Sequence, residues 1–143
     1  MAERTIEDRQ GDLVTMIQGR SNEQITAGVE TRGAEKVLRT VFDGMAEAFM
    51  PERAAGEDAV IQYHVTVGEK AYSYRLKVAN GKCEVMQGAG GPARVTLSMA
   101  VPDFLRLVAG ELGGIWALMT GKLKVGGDML FARTMQGWFR QRG

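Results

Sequence analysis

The side chains able to do acid–base, nucleophilic or metal chemistry are few and scattered. His64 is the sole histidine. That removes His/His metal pairs and any Ser-His-Asp system with a spare base. It falls in the alternating run Val60–Val67, between Gln62 and Thr66 on the polar side, and reads as a surface strand residue opposite Arg75. Cys83 is the sole cysteine, so an intrachain disulfide and a thiolate metal cluster are excluded. It falls on the apolar side of its strand, where a free thiol behaves as an inert small hydrophobe. A reactive thiolate needs an open, electropositive setting instead. Gly88-Ala89-Gly90-Gly91-Pro92 has the composition of a phosphate loop. A phosphate cradle, however, needs a helix N-terminus after its glycines, and here Pro92 and a strand follow. The segment is a crossover between strands. The paired carboxylates Glu7-Asp8 and Glu57-Asp58 lie in polar segments with no apolar pocket to raise a pKa, so they carry no general acid–base role. No G-x-S-x-G elbow occurs. Lys122 and Lys124 flank a short strand and read as a solvated edge, with contact to lipid headgroups as the other reading. Without a nucleophile–base pair the chain is not expected to be an enzyme, and no metal or cofactor is expected.

The elements behind these residues follow from periodicity. Ala34 to Phe49 is the clearest helix, with Ala34, Val37, Leu38, Val41, Met45, Ala48 and Phe49 on one face. Gly33 and Pro51 bracket it. Gly44 costs about 1 kcal/mol there relative to Ala, which suggests a close backbone contact. Two strands follow, Val60–Val67 and Ala71–Val78. Each alternates apolar with polar residues, the signature of a sheet covered on one face only. Asn80-Gly81 is a type I′ hairpin signal. It pairs Ala79 with Lys82, Val78 with Cys83, Lys77 with Glu84 and Leu76 with Val85. A four-residue loop, Gly68–Ala71, would pair Val67 with Tyr72 and Val65 with Tyr74. Both hairpins put Tyr63, Val65, Tyr74 and Leu76 on the inner face. Beyond the crossover lie a strand (Arg94–Met99), a helix with Pro102 in its first turn and Gly110 after its end, and a shorter helix at Gly113–Thr120. A strand at Lys122–Val125, a Gly-Gly turn and a last helix capped by Asp128 complete the order. That helix shows Phe131, Ala132, Met135, Trp138 and Phe139 on one face, an adaptable apolar lid.

Ahead of residue 34 the pattern is weak. Ile6, Leu13, Val14 and Ile17 mark one short helix, and Ser21-Asn22-Glu23-Gln24 is a capping box for a second. Both are too short to stand alone in water, so residues 1–33 read as a helical arm that docks on the domain at 34–143 or on a second copy.

Nine methionines beside 7% aromatic residues suggest a deformable interior. A net charge of +1 gives no strong overall field for nucleic acid or an anionic membrane. The opening MAERTIEDRQ lacks the apolar core of a secretory signal, and no 18-residue apolar run spans a membrane. A cytoplasmic protein is the expectation.

The run GKLKVGGDM (Gly121 to Met129), preceded by the Phe-Leu helix at Asp103 to Val108, resembles the C-terminal half of the sterol carrier protein 2 (SCP2) family, in its bacterial form. The likeness extends from about Ala34 to Phe139. The terminal Arg142-Gly143 is not the peroxisomal address of the peroxisomal members. The resemblance implies an α+β fold: a five-stranded, mixed, mostly antiparallel sheet with helices over one face. A hydrophobic tunnel would lie between the sheet and the C-terminal helices. It implies a non-catalytic carrier of a fatty acid, an acyl-CoA or a sterol-like lipid. Carried onto this chain, the ligand wall comprises Phe104, Val108, Leu112, Ile115, Trp116, Met119, Phe131, Met135 and Trp138. The alternatives are a protein-interaction module that closes the same groove with a partner or as a homodimer, and an accessory factor that presents a lipid to an enzyme.

Overall fold

The computed structural model describes residues 13–139. Ile6 and the Glu7-Asp8 pair lie outside them. Residues 13–17 are helical (α1). Then come α2 (Asn22–Arg32), α3 (Ala34–Glu47), α4 (Pro51–Ala54), β1 (Ala59–Val67), β2 (Lys70–Ala79), β3 (Lys82–Gln87), β4 (Val95–Ala100), α5 (Val101–Val108), α6 (Gly114–Met119), β5 (Leu123–Gly127) and α7 (Met129–Gln136). The five strands form one sheet in the order β3-β2-β1-β4-β5. Only the β1–β4 pair is parallel, as the crossover requires.

The Asn80-Gly81 hairpin has the register expected of it, Leu76 opposite Val85 and Lys77 opposite Glu84. Asn80 and Gly81 both take positive φ, as a type I′ turn demands. The first hairpin differs from expectation. Val67 pairs with Lys70 and Tyr63 with Tyr74, so Gly68 and Glu69 alone make the turn, with Gly68 at positive φ. The register moves by two residues, an even number, so every inner-face assignment survives. Tyr63, Val65, Tyr74 and Leu76 are buried. His64 faces Ser73, not Arg75, and its Nδ1 lies 2.7 Å from Ser73 Oγ.

Gly126 and Gly127 are the end of β5 rather than a turn. Gly127 pairs with Val95 at φ +91°, and a Cβ there would sit 2.6 Å from the Arg94 carbonyl oxygen, so only glycine fits. Asp128 caps α7 as expected, its Oδ1 accepting from the Phe131 N–H at 2.9 Å. The helix stops at Gln136, short of Trp138 and Phe139. The chain then turns, and Phe139 bridges to Phe49. α3 likewise stops two residues early, and Pro51 opens α4 instead of merely ending α3.

One core lies between the sheet and the helices. Phe42 of α3 stacks on Tyr74 at 4.7 Å and on Phe104 at 5.0 Å, with Tyr63 edge-on at 5.1 Å. The Ser21 capping box is formed at both hydrogen bonds, 3.1 and 2.9 Å. α2 brings Ile25 and Val29 into this same core, and α1 brings Leu13 and Ile17. Arg106 of α5 holds the start of α2 through Asn22 Oδ1 and the Arg20 carbonyl.

On the opposite face the crossover is pinned by two side chains. Arg75 donates to the carbonyls of Gly90, Gly91 and Pro92. Gln62, buried beneath the loop, donates from Nε2 to Tyr74 O at 3.1 Å and Gly88 O at 3.2 Å. The glycine-rich segment therefore spends its carbonyls on structure.

Candidate ligand-binding site

A cavity of about 480 Å³ opens between the sheet and the helices, within the range of small-molecule sites. β1, β4 and β5 supply its floor through Tyr63, Leu97, Met99 and Leu123. α5 and the loop after it supply Phe104, Leu107, Val108 and Leu112. α6 adds Ile115 and Trp116, and α7 adds Met135 and Gln136. α1 contributes Leu13, and Phe139 lies across from α3.

The remaining wall is α3, with Thr40, Val41, Gly44 and Met45, and Ala48 just past its end. Thr40, Gly44 and Ala48 recur every four residues, one stripe of a helix. Gly44 makes no close backbone contact. A Cβ there would meet nothing within 4 Å, so its missing side chain is open space.

Of the residues expected from sequence, Phe104, Val108, Leu112, Ile115, Trp116 and Met135 meet on this wall. Met119 is exposed at the end of α6. Phe131 and Trp138 are buried together at 5.2 Å, and Trp138 also meets Phe49. Sequence reasoning placed no wall residue on α3. The available signal was the four-residue spacing of the small residues Thr40, Gly44 and Ala48.

The mouth lies where wall residues are also exposed: Ile115 and Trp116, with Thr40, Gly110, Gly113 and Gln136 around them. Polar side chains on the wall are few. Thr40 already donates to Lys36 O at 2.9 Å. Burial, with the neighbouring Cys83, holds the Tyr63 phenol well above its ordinary pKa and therefore neutral. Burial, and then Glu84, pushes the Cys83 thiol up to about 12, which disarms it as a nucleophile at neutral pH. Among the described residues no three His, Cys, Asp or Glu side chains gather as a metal site would need. Such a wall can hold an apolar chain by burial and orient it with one or two hydroxyls.

Residues 40–140 match the model of the SCP-2 sterol transfer family. That span holds every wall residue but Leu13. The chain belongs to the SCP-2 sterol transfer family. Over 93 residues it is 34% identical to hydroxysteroid dehydrogenase-like protein 2 of Xenopus tropicalis, covering 63% of this chain and 22% of that protein. Over 76 residues it is 36% identical to human sterol carrier protein 2, covering 53% of this chain and 14% of that one. It thus spans less than a quarter of the length of these curated relatives. The SCP2-like 2 protein of Aedes aegypti shares the fold, with a TM-score of 0.61 at 19% identity over 73% of this chain and 98% of that one. The five-stranded mixed sheet with helices over one face is therefore the SCP-2 fold. Among the described residues no helix is long and apolar enough to cross a membrane.

Proposed function

We propose that this chain is a non-catalytic lipid binder that holds a long acyl chain or a sterol-like lipid in the cavity between its sheet and helices. The single observation behind this is the cavity itself: about 480 Å³, walled by aliphatic and aromatic side chains, with its titratable wall group Tyr63 kept neutral by burial. Burying a sixteen-carbon chain gains on the order of 12 kcal/mol at about 0.8 kcal/mol per methylene. Association costs of about 4 kcal/mol or more leave micromolar to nanomolar affinity within reach. Membership of the SCP-2 family supports the same reading. Met45, Met99 and Met135 on the wall suit a site that repacks around chains of different shape. The relatives that carry this region within longer chains are consistent with a carrier that serves an attached or neighbouring enzyme.

Native mass spectrometry after gentle purification tests the reading. A lipid mass that leaves on activation is expected, together with saturable uptake of a long-chain fatty acid by delipidated protein. Folded protein that takes up no long-chain ligand would refute it.

A further inference from the structure

The wall of the cavity carries no charge. Among the described residues no Asp, Glu, His, Lys or Arg lines it. Its polar side chains are Thr40, Trp116, Gln136 and Tyr63. The first three are exposed. Tyr63, on the sheet floor, is only 4% exposed.

The ring of Tyr63 has a structural use. It stands edge-on to Phe42 at 5.1 Å and to Phe104 at 6.1 Å. A phenylalanine would make the same contacts, so packing does not account for the hydroxyl. Tyr74, the other buried tyrosine, donates to the Glu35 carbonyl at 3.4 Å. The Tyr63 hydroxyl has no hydrogen-bond partner among the described residues. Nor is it sealed in. The buried side-chain atoms that are both sealed and unpartnered are Arg75 Nε and Asp103 Oδ1. The open space that Tyr63 borders is the cavity.

A buried hydroxyl without a partner costs free energy, and native folds seldom leave one so. An unsubstituted chain lying over Tyr63 would strip the phenol of solvent and give it nothing in return. Burial keeps the phenol protonated, so it can both donate and accept. A carboxylate beside it would meet no cation to offset its desolvation, whereas a neutral oxygen loses far less and regains a hydrogen bond.

We propose that the cavity selects lipids carrying an uncharged oxygen, a hydroxyl or a carbonyl, on their buried part, and that Tyr63 is the residue that recognises it. This rests on the lipid-binding function proposed above and narrows its ligand class.

The test uses the delipidated full chain. It compares hexadecanoic acid with hexadecanol and with a positional series of hydroxy-hexadecanoic acids, mid-chain to terminal. Tyr63→Phe removes the hydroxyl and keeps the ring, so the thermal transition should hold or rise. Affinity for hexadecanoic acid should match the parent's. For at least one hydroxyl-bearing ligand, the ratio of its Kd to that of hexadecanoic acid should rise about tenfold in the variant. A loss common to every ligand would give the hydroxyl a packing role, and unchanged ratios would give it no part in recognition. Either overturns the proposal. The parent protein supplies a second reading through a positional series of oxo-hexadecanoic acids. The ketone stretch of one bound member should fall below its frequency in alkane, and the alkane frequency at every position would overturn the proposal as well. If the parent binds neither hexadecanoic acid nor any derivative, the lipid-binding function itself falls, and this proposal with it.

Discussion

Replacing Gly44 with Leu moves stability and ligand affinity in opposite directions. In the interior of α3 a glycine costs about 0.8–1 kcal/mol relative to a good helix former. Nothing lies within 4 Å of the new Cβ, so the substitution carries no steric charge against that gain. Partial burial of the leucine against Val41, Met45 and Phe139 adds up to about 1.5 kcal/mol. The melting temperature should rise, by roughly 2–4 °C per kcal/mol for a chain of this size. The same four carbons occupy space that a bound chain would use. Displacing about four methylenes of ligand at about 0.8 kcal/mol each removes roughly 3 kcal/mol, about a hundredfold in Kd. Calorimetry of the thermal transition and titration with a fluorescent long-chain fatty acid read the two effects on one sample. Gly44→Ala is the control, with most of the helix gain and little loss of affinity. A stabilised Gly44→Leu that binds as the parent does would show that ligand does not lie along α3. A destabilised one would show that the space beside Gly44 is not open.

Cys83 should alkylate slowly with a maleimide at neutral pH and rapidly in denaturant. Its raised pKa also has a sign: below pH 9 the thiol is neutral folded and unfolded, and between about 9 and about 12 the unfolded chain ionises first, so stability falls as pH rises. Cys83→Ala should remove that part of the alkaline loss, as read from denaturant midpoints against pH. Gly127→Ala should cost about 2 kcal/mol or more, because a positive φ and a backbone clash coincide, whereas Gly126→Ala, with its nearest neighbour at 3.9 Å, should change the midpoint little. Deleting residues 1–30 removes the buried Leu13, Ile17, Ile25 and Val29. At about 1.5 kcal/mol or more each, that loss rivals a total stability of about 5–15 kcal/mol, so the cooperative transition should disappear. An intact transition would show that residues 31–143 fold without the arm.

Local chemistry was the legible part of the sequence. Asn80-Gly81 dictates both a turn type and a register, and the third strand follows from it. Ser21 with Gln24, Pro102 and Asp128 each mark a helix start through a backbone group that has to be satisfied or is safely missing. The Gly68-Glu69 turn was harder, since a two- and a four-residue loop both keep the alternating pattern in phase and differ only in which neighbours meet. Trp138 and Phe139 matched a helical period by position, yet the helix ends at Gln136 and tertiary contact with Phe49 decides their place. The cavity was legible on the C-terminal helices, whose large side chains announce an apolar face. It was not legible on α3. There the wall is made by what is missing, which a count of large apolar residues does not record and only the four-residue spacing of Thr40, Gly44 and Ala48 marks. From residue 34 onward the strand and helix pattern looks complete, whereas Ile25, 2% exposed, and Val29, fully buried, share the core that the pattern assigns to later elements.

α3 reconciles a packed core with an open site. On one side Leu38 and Phe42, four residues apart and fully buried, close the core against Tyr74 and Phe104. On the adjacent side Thr40, Gly44 and Ala48 hold side-chain volume back from the sheet. One helix therefore stabilises the fold and keeps the space. The elements that close that space are of another kind. α6 has six residues and α7 eight, too short to be stable by themselves. What holds them is the burial of Ala117, Phe131, Ala132 and Met135 in the core, with the Asp128 cap, the Arg94 guanidinium 4.1 Å over the Phe131 ring, and the fit of Gln136 against Gly114. Both short helices thus face the open volume, while Leu38 and Phe42 of α3 are packed against the sheet. A lipid chain lying along Gly44 and Ala48 would supply the contacts that α3 withholds, and the short helices would gain from it most.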